Sequence, residues 1–285
     1  RQIRRHRQAR ADQTRKITMP KPSAIAIGAH PDDIEFAMAG TLLQLQAAGW
    51  EIHYLNLSSG NLGSVKLNAA QATRTRTREA KAAAKILGAK YHASICNDLE
   101  IMYDVPTLRK VAAVIRKSKA SVVLTHSPVD YMEDHTNTCR LAVTAAFAHG
   151  MPNFKSTPST KPFANNVTVY HAMPHSLRDP LRQRVMAGAF VNTTPVRTRQ
   201  VKALAAHQSQ QDWLDVSQGM NSYIQAGEEV SRMLGKLSKK FKFAEGWRRH
   251  LHFGFSSEEL DPLKDALGKN YLVNQKYERS LEKEE

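Results

Sequence analysis

The chain has 285 residues, enough for one large domain or two small ones with a substantial buried core. Hydrophobic residues at 41% and charged residues at 24% give a globular balance that excludes disordered and fibrous architectures, and no apolar run approaches the ~18–20 residues needed to span a bilayer. The net charge of +15 is uneven: the first sixteen residues hold seven Lys/Arg against one Asp, which leaves +9 for the remainder. That opening segment lacks the apolar stretch of a secretory signal and reads as a solvated basic arm over residues 1–22, not as a nucleic-acid-binding element. Cys96 and Cys139 cannot build a disulfide scaffold or a zinc finger; they read as small buried apolar residues in a reducing compartment, and a cytoplasmic location is expected.

From residue 24 the pattern alternates short β-rich runs with longer helical ones. The run AIAIGA at 24–29 reads as a buried strand, and 34–48 as a helix stopped by Gly49. Strand-like alternation at 51–58 is followed by the loop SSGNLGS and by an alanine-rich helix over 69–87 closed by Gly88. A short strand at 91–96, an amphipathic helix at 107–118, a buried strand at 121–126 and a helix at 136–149 continue the series. A Pro/Ser/Lys-rich loop runs to about residue 164, strands are expected at 167–172 and 189–192, and the text from about 195 to 249 reads as largely helical. The expected architecture is a doubly wound, mostly parallel Rossmann-like α/β sheet with helices on both faces and a helical C-terminal elaboration. A single domain is expected over 23–250, with a tail over 251–285.

The most informative segment is Ala29-His30-Pro31-Asp32-Asp33, placed where the first strand ends and the first helix begins. Ligands of doubly wound sheets bind at the carboxyl ends of strands, where strand order reverses. A histidine and two adjacent carboxylates there are desolvation liabilities unless paired or bound to a cation, although a helix cap is the plain alternative for either aspartate. His30 and Asp33, three residues apart across a turn, can reach one metal while Asp32 points elsewhere, free to act on water. A second cluster, His126-Ser-Pro-Val-Asp130-Tyr-Met-Glu-Asp134-His135, follows the strand at 121–126. In the strand order 3-2-1-4-5 the two clusters face one crevice, so His30, Asp33 and His135 can converge as a zinc set with an open position. Asp134 can then hold a ligating imidazole from behind.

With these residues in view, the sequence resembles the LmbE/PIG-L family of zinc-dependent N-deacetylases. AHPDD is the most specific shared motif. Arg76-Thr-Arg-Glu79, Asp98, Asp134-His135, the segment Lys202 to Gln210 and Ala244-Glu245-Gly246-Trp247 follow in consistent order, so the likeness runs over roughly 23–249. The resemblance implies one zinc ion per chain on His30, Asp33 and His135, Asp32 as general base, and Arg76, Asp98 and His207 as substrate-binding residues. It also implies removal of an N-acetyl group from an N-acetylglucosaminyl-type sugar or glycoside; self-assembly is left open.

One position departs from the family pattern. Where the family shows His-Pro-Asp-His, this chain has Met132-Glu133-Asp134-His135, and a thioether can neither donate to an oxyanion nor supply a proton. His207 and then His175 are the expected replacements. The departure keeps two alternatives in play: a deacylase of a non-sugar amide on the same site, and a catalytically silent zinc- and ligand-binding homologue. No membrane and no nucleic-acid partner are expected, and the basic run from Lys236 to Lys242 reads as a solvated face.

Overall fold

The computed structural model describes residues 21–218 and 223–282. The expected basic arm thus lies almost wholly outside the described residues. Strands β1 (Ser23–Gly28), β2 (Glu51–Asn56), β3 (Lys90–His92), β4 (Val122–Thr125) and β5 (Thr168–Ala172) alternate with helices α1 (Asp33–Ala37), α2 (Ala39–Ala47), α3 (Ala69–Leu87), α4 (Val105–Ser118) and α5 (Glu133–Phe147). Strand β6 (Ala189–Asn192), helices α6 (Arg197–Leu204), α7 (Gln208–Gln218) and α8 (Tyr223–Ser238), strand β7 (Ala244–Arg249), helix α9 (Pro262–Leu267), strand β8 (Tyr271–Val273) and helix α10 (Gln275–Leu281) complete the described order. Among the described residues no helix is long and apolar enough to cross a membrane.

These eight strands form one sheet in the order β3-β2-β1-β4-β5-β7-β6-β8. The first five are parallel, and β7, β6 and β8 are antiparallel to their neighbours. The expected 3-2-1-4-5 order is therefore present, with its reversal between β1 and β4. Strand β1 is buried along its whole length. Ala24 and Ala26 face one core layer with Leu42, Leu45, Ala83 and Leu87 from α2 and α3. Ile25 and Ile27 face the other, with Val111, Ile115, Leu141 and Ala145 from α4 and α5. A strand covered on both faces has no polar side and reads as a continuous apolar run.

Local chemistry accounts for the boundaries. Asn68 and Gln71 form a reciprocal capping box at the start of α3, and Gly88 ends it in the left-handed region at φ 68°. The single helix expected over 34–48 is instead two, broken at Met38. The cause lies far away in sequence. The buried Glu245 carboxylate of β7 accepts from Gly40 N (2.7 Å), Thr41 N (2.7 Å) and Thr41 Oγ1 (2.6 Å), and so caps a fresh N-terminus. Gly40 permits the approach, because a Cβ there would lie 2.3 Å from Thr193 Cγ2.

Two expectations are corrected by the sheet. Residues 244–249 are not helical; they form β7, clamped between β5 and β6. Its six residues AEGWRR include three charges, Glu245, Arg248 and Arg249, that face protein partners, so no periodicity is visible in the sequence. Residues 251–285 are more than a tail: Tyr271–Val273 add β8 to the edge of β6, and Leu263 and Leu267 of α9 enter the core beside α2.

Glu245→Ala should leave two buried amide donors unmet and destabilise the protein by about 2–3 kcal/mol in urea unfolding. A loss below about 0.5 kcal/mol would show that the break at Met38 does not depend on this carboxylate.

Candidate metal centre

The turn after β1 sorts its two carboxylates. Asp32 has φ 121° and ψ −26°, a conformation that costs a non-glycine residue energy and persists only where the surroundings enforce it. Phe36 N bonds to Asp32 O at 2.9 Å and Asp33 N to His30 O at 3.2 Å, which closes the turn. The Asp33 carboxylate folds back to accept from His30 N at 2.7 Å. Asp32 points the opposite way, toward Arg76 (Nη2 to Oδ1, 3.8 Å) and the Tyr223 hydroxyl, which donates to Asp32 Oδ2.

Because β1 and β4 are hydrogen-bonded neighbours, with Ile27 opposite Thr125, the loop after β4 lies against this turn. His135 Nε2 stands 3.5 Å from Asp33 Oδ1, His126 Nε2 stands 3.2 Å from Asp33 Oδ2, and His30 Nδ1 is 3.5 Å from Asp33 Oδ2. Ligand atoms of His30, Asp33 and His135 lie within 4.8 Å of one another, and so do those of His126, Asp130 and His135. Hydrogen bonding separates the two groups. His126 Nε2 already accepts from Ala29 N at 2.9 Å, and Asp130 Oδ1 holds His135 Nδ1 at 3.0 Å. Asp134 Oδ2 holds His30 Nε2 at 2.9 Å. Each of His30 and His135 thus has one nitrogen fixed by a carboxylate and the other turned toward Asp33, the arrangement that orients imidazoles on a metal. His30, Asp33 and His135 fit a divalent cation with room for further ligands on the cavity side.

The electrostatics agree. Burial works to lower the His30 imidazole, but its hydrogen bonds to Asp134 and Asp33 prevail and hold it at about 9. Burial opposes charge on His135 too, yet Asp33 and the Asp130 hydrogen bond raise it to about 10. The Asp33 carboxyl, though buried, is held well below its ordinary range by His135 and His126. Asp32 goes the other way: burial, opposed by Arg76 and aided by neighbouring Asp33, lifts it to about 6. Burial, with the charge of His135, lowers His126. Two adjacent aspartates therefore differ sharply in basicity.

A cavity of about 610 Å³ opens over this cluster, and His30, Asp32, Asp33, His126, Asp130 and His135 all reach it. Arg76 is buried on its wall; Nη2 donates to Pro31 O at 2.6 Å and Nη1 to Gln210 Oε1. Gly60, at φ 73°, gives it space, since a Cβ there would lie 2.4 Å from Arg76 Cδ. Asp98 also reaches the wall, with its oxygens accepting from Gly60 N (2.7 Å) and Leu62 N (3.1 Å). His207 does not join the cavity lining. It is buried behind Asp32, with Nε2 3.4 Å from Glu35 Oε2. His175 does line the cavity, stacked on Phe36 at 5.1 Å, as does Met132.

Sequence reasoning assigned no role to Asp130, His126 or Tyr223. Asp130 and His126 stood inside the segment singled out, and the need for a second carboxylate behind His135 was the signal available for Asp130. Tyr223 lies 191 residues from Asp32, and nothing in the local text marks it.

Comparison with known proteins places this geometry. Residues 25–147 match the PIG-L family model, described as GlcNAc-PI de-N-acetylase, in agreement with the resemblance read from the sequence. The chain is 27% identical over 231 residues to diacetylchitobiose deacetylase from Thermococcus kodakarensis, covering 79% of this chain and 81% of the relative. It is 28% identical over 241 residues to 4-oxalmesaconate hydratase from Pseudomonas putida, covering 81% and 90%. The solved N,N'-diacetylchitobiose deacetylase from Pyrococcus horikoshii shares the fold at a TM-score of 0.68, with 20% identity over 86% of this chain and 89% of that one.

The raised imidazoles yield a test. At pH 7 the metal-free site carries protons on both His30 and His135, and a cation must displace them. Calorimetry in buffers of differing ionisation enthalpy should show release of close to two protons per metal at pH 7, and affinity should climb as pH rises toward 9–10. The same sign governs the metal-free fold: the His–Asp pairs contribute fully below about pH 6.5 and their contribution fades as pH passes 9–10. Metal uptake without proton release would contradict this charge assignment.

Proposed function

We propose that this PIG-L family relative is a zinc-dependent amidohydrolase that removes an N-acetyl group from an N-acetylglucosaminyl-type sugar or glycoside. The observation that carries the reading is the division of labour in one turn: Asp33 joins His30 and His135, whereas Asp32 faces the cavity beside them with a basicity suited to taking a proton near neutral pH. A zinc ion on His30, Asp33 and His135 would supply Lewis acidity toward the amide oxygen and lower the pKa of water.

The chain's own groups do the rest. Asp32 accepts the proton of the attacking water as the new C–O bond forms. It then returns that proton to the amine nitrogen as the C–N bond breaks, giving the free amine and acetic acid, which ionises to acetate in water. Tyr223 and Arg76 fix the Asp32 carboxylate from two directions, which favours one productive orientation. Met132 offers no donor to the developing oxyanion, and buried His207 is too far back to replace it. His175 is the better placed candidate: it lines the cavity, and burial with the charge of His135 lowers its pKa.

Similarity to a hydratase of comparable identity and coverage, together with Met132, supports a second reading in which the same base directs water onto a carbon–carbon double bond. Metal-loaded protein assayed for amine release across N-acetylglucosamine, diacetylchitobiose and N-acetylglucosaminides separates the two. Release should depend on metal. Asp32→Asn should keep the metal and lose most of its turnover, whereas His135→Ala should lose the metal itself. His175→Ala should lower kcat by on the order of 10²–10³ with metal content unchanged. Failure to release amine from any amide, with water addition to an unsaturated acid instead, would overturn the amidohydrolase reading.

A further inference from the structure

The cavity over the metal centre is larger than an acetyl group needs, at about 610 Å³, and its two sides differ in character. Toward the mouth, His175, Arg178, Asp179 and Tyr131 bring polar groups to the wall. Inward, beyond Phe36, the wall changes. Helix α8 lines it with Tyr223, Val230 and Leu234, beside Met173 just after β5, Ala244 of β7 and Leu214 of α7. Val230 and Leu234 belong to the same apolar cluster as Met173 and Ala244, so this lobe is an extension of a packed hydrophobic layer.

The polar side chains that reach the inner lobe are already engaged within the protein. Ser231 Oγ donates to Ala244 O at 3.2 Å. The Glu245 carboxylate is taken by Gly40, Thr41 and Gln200, the last at 2.9 Å. The Tyr223 hydroxyl is bonded to Asp32. A sugar ring seated there would bury several hydroxyls without partners, at a cost of about 1–3 kcal/mol each. An alkyl chain would lose nothing of this kind and would gain by leaving water.

We infer that the inner lobe is an acyl-chain subsite, and that the preferred substrate is an amide whose acyl group is an apolar chain longer than acetyl, with its polar amine portion at the mouth. This rests on the amidohydrolase reading and keeps its amide chemistry, but replaces acetyl with a longer chain as the preferred acyl group. The polarity of the two sides sets the orientation: the amide lies over the metal ligands, the hydroxyl-bearing part meets the polar mouth, and the acyl carbon chain runs past Phe36 toward Leu234.

The test is a kinetic series on metal-loaded protein with N-acetyl-, N-butyryl-, N-hexanoyl- and N-octanoylglucosamine, beside octyl N-acetylglucosaminide as the aglycone arm. Each product is measured as free amine. The expected result is a rise in kcat/KM on the order of tenfold or more from acetyl to hexanoyl. Val230→Trp, which fills the lobe, should cut the hexanoyl-to-acetyl ratio by about tenfold. Leu234→Ala, which deepens it, should move the optimum toward octanoyl and keeps the question open to test if the tryptophan variant folds poorly. Amine release from the acetyl compound with no gain for longer acyl chains would overturn the inference while leaving the amidohydrolase reading intact. So would a gain confined to the octyl glycoside. If no amide is cleaved, that reading fails on its own; calorimetric binding of the octanoyl compound no tighter than the acetyl one would then overturn the subsite as well.

Discussion

A single carboxylate, Asp33, carries negative charge at the end of β1 with three imidazoles around it, and the arrangement of this protein follows from satisfying that group. A buried carboxylate is tolerated only when paired or bound to a cation. Here His30, His126 and His135 approach it to between 3.2 and 3.5 Å, and His30 N donates to it from the main chain. None of this is available to the β1 turn alone. It requires β4 to pair with β1, so that the loop after Thr125 delivers His126 and the first turn of α5 delivers His135. It also requires Asp130 and Asp134 to stand behind two of the rings. The reversal of strand order is thus the topological condition for the site, and the apolar runs of β1 and β4 are the energetic condition for the reversal.

Much of this was legible in the sequence. The boundaries of α3 follow from Asn68 and Gly88, and the burial of β1 and β4 follows from unbroken apolar runs. Two chemical clusters at the ends of the first and fourth strands, neighbours in a 3-2-1-4-5 sheet, were enough to expect His30, Asp33 and His135 in one place. What escaped reading depends on partners distant in sequence. The break at Met38 arises from Glu245, some 200 residues later. Strand β7 carries no clean alternation, because the buried Glu245 is turned to Thr41 on the same face as Trp247, whose indole N–H also reaches Thr41 Oγ1 within the core. For the same reason Tyr223 could not be linked to Asp32. His207 shows the converse: its family-like context suggested contact with substrate, but the fold uses it to partner Glu35 behind the wall.

The C-terminal half does more than finish the sheet. Glu245 and Trp247 lock α2, which is joined through the short α1 to the turn that bears Asp32 and Asp33. Helices α7 and α8 supply the inner wall of the cavity and the hydroxyl that holds Asp32. The cavity wall draws on both halves of the chain, with Phe36, Arg76 and Asp98 from the first and His175, Leu214 and Leu234 from the second. Met132 and His175 both line it, so the two positions face one space from different strand ends.

In the proposed site Asp33, His30 and His135 form the ligand set, while Asp130 and Asp134 only orient it. Anomalous diffraction from a crystal of zinc-loaded protein, collected on both sides of the zinc absorption edge, tests this most directly. The account predicts one peak bonded to a ring nitrogen of His30, an oxygen of Asp33 and Nε2 of His135, with Asp32 unligated. A peak bonded instead to His126 and Asp130 would contradict it.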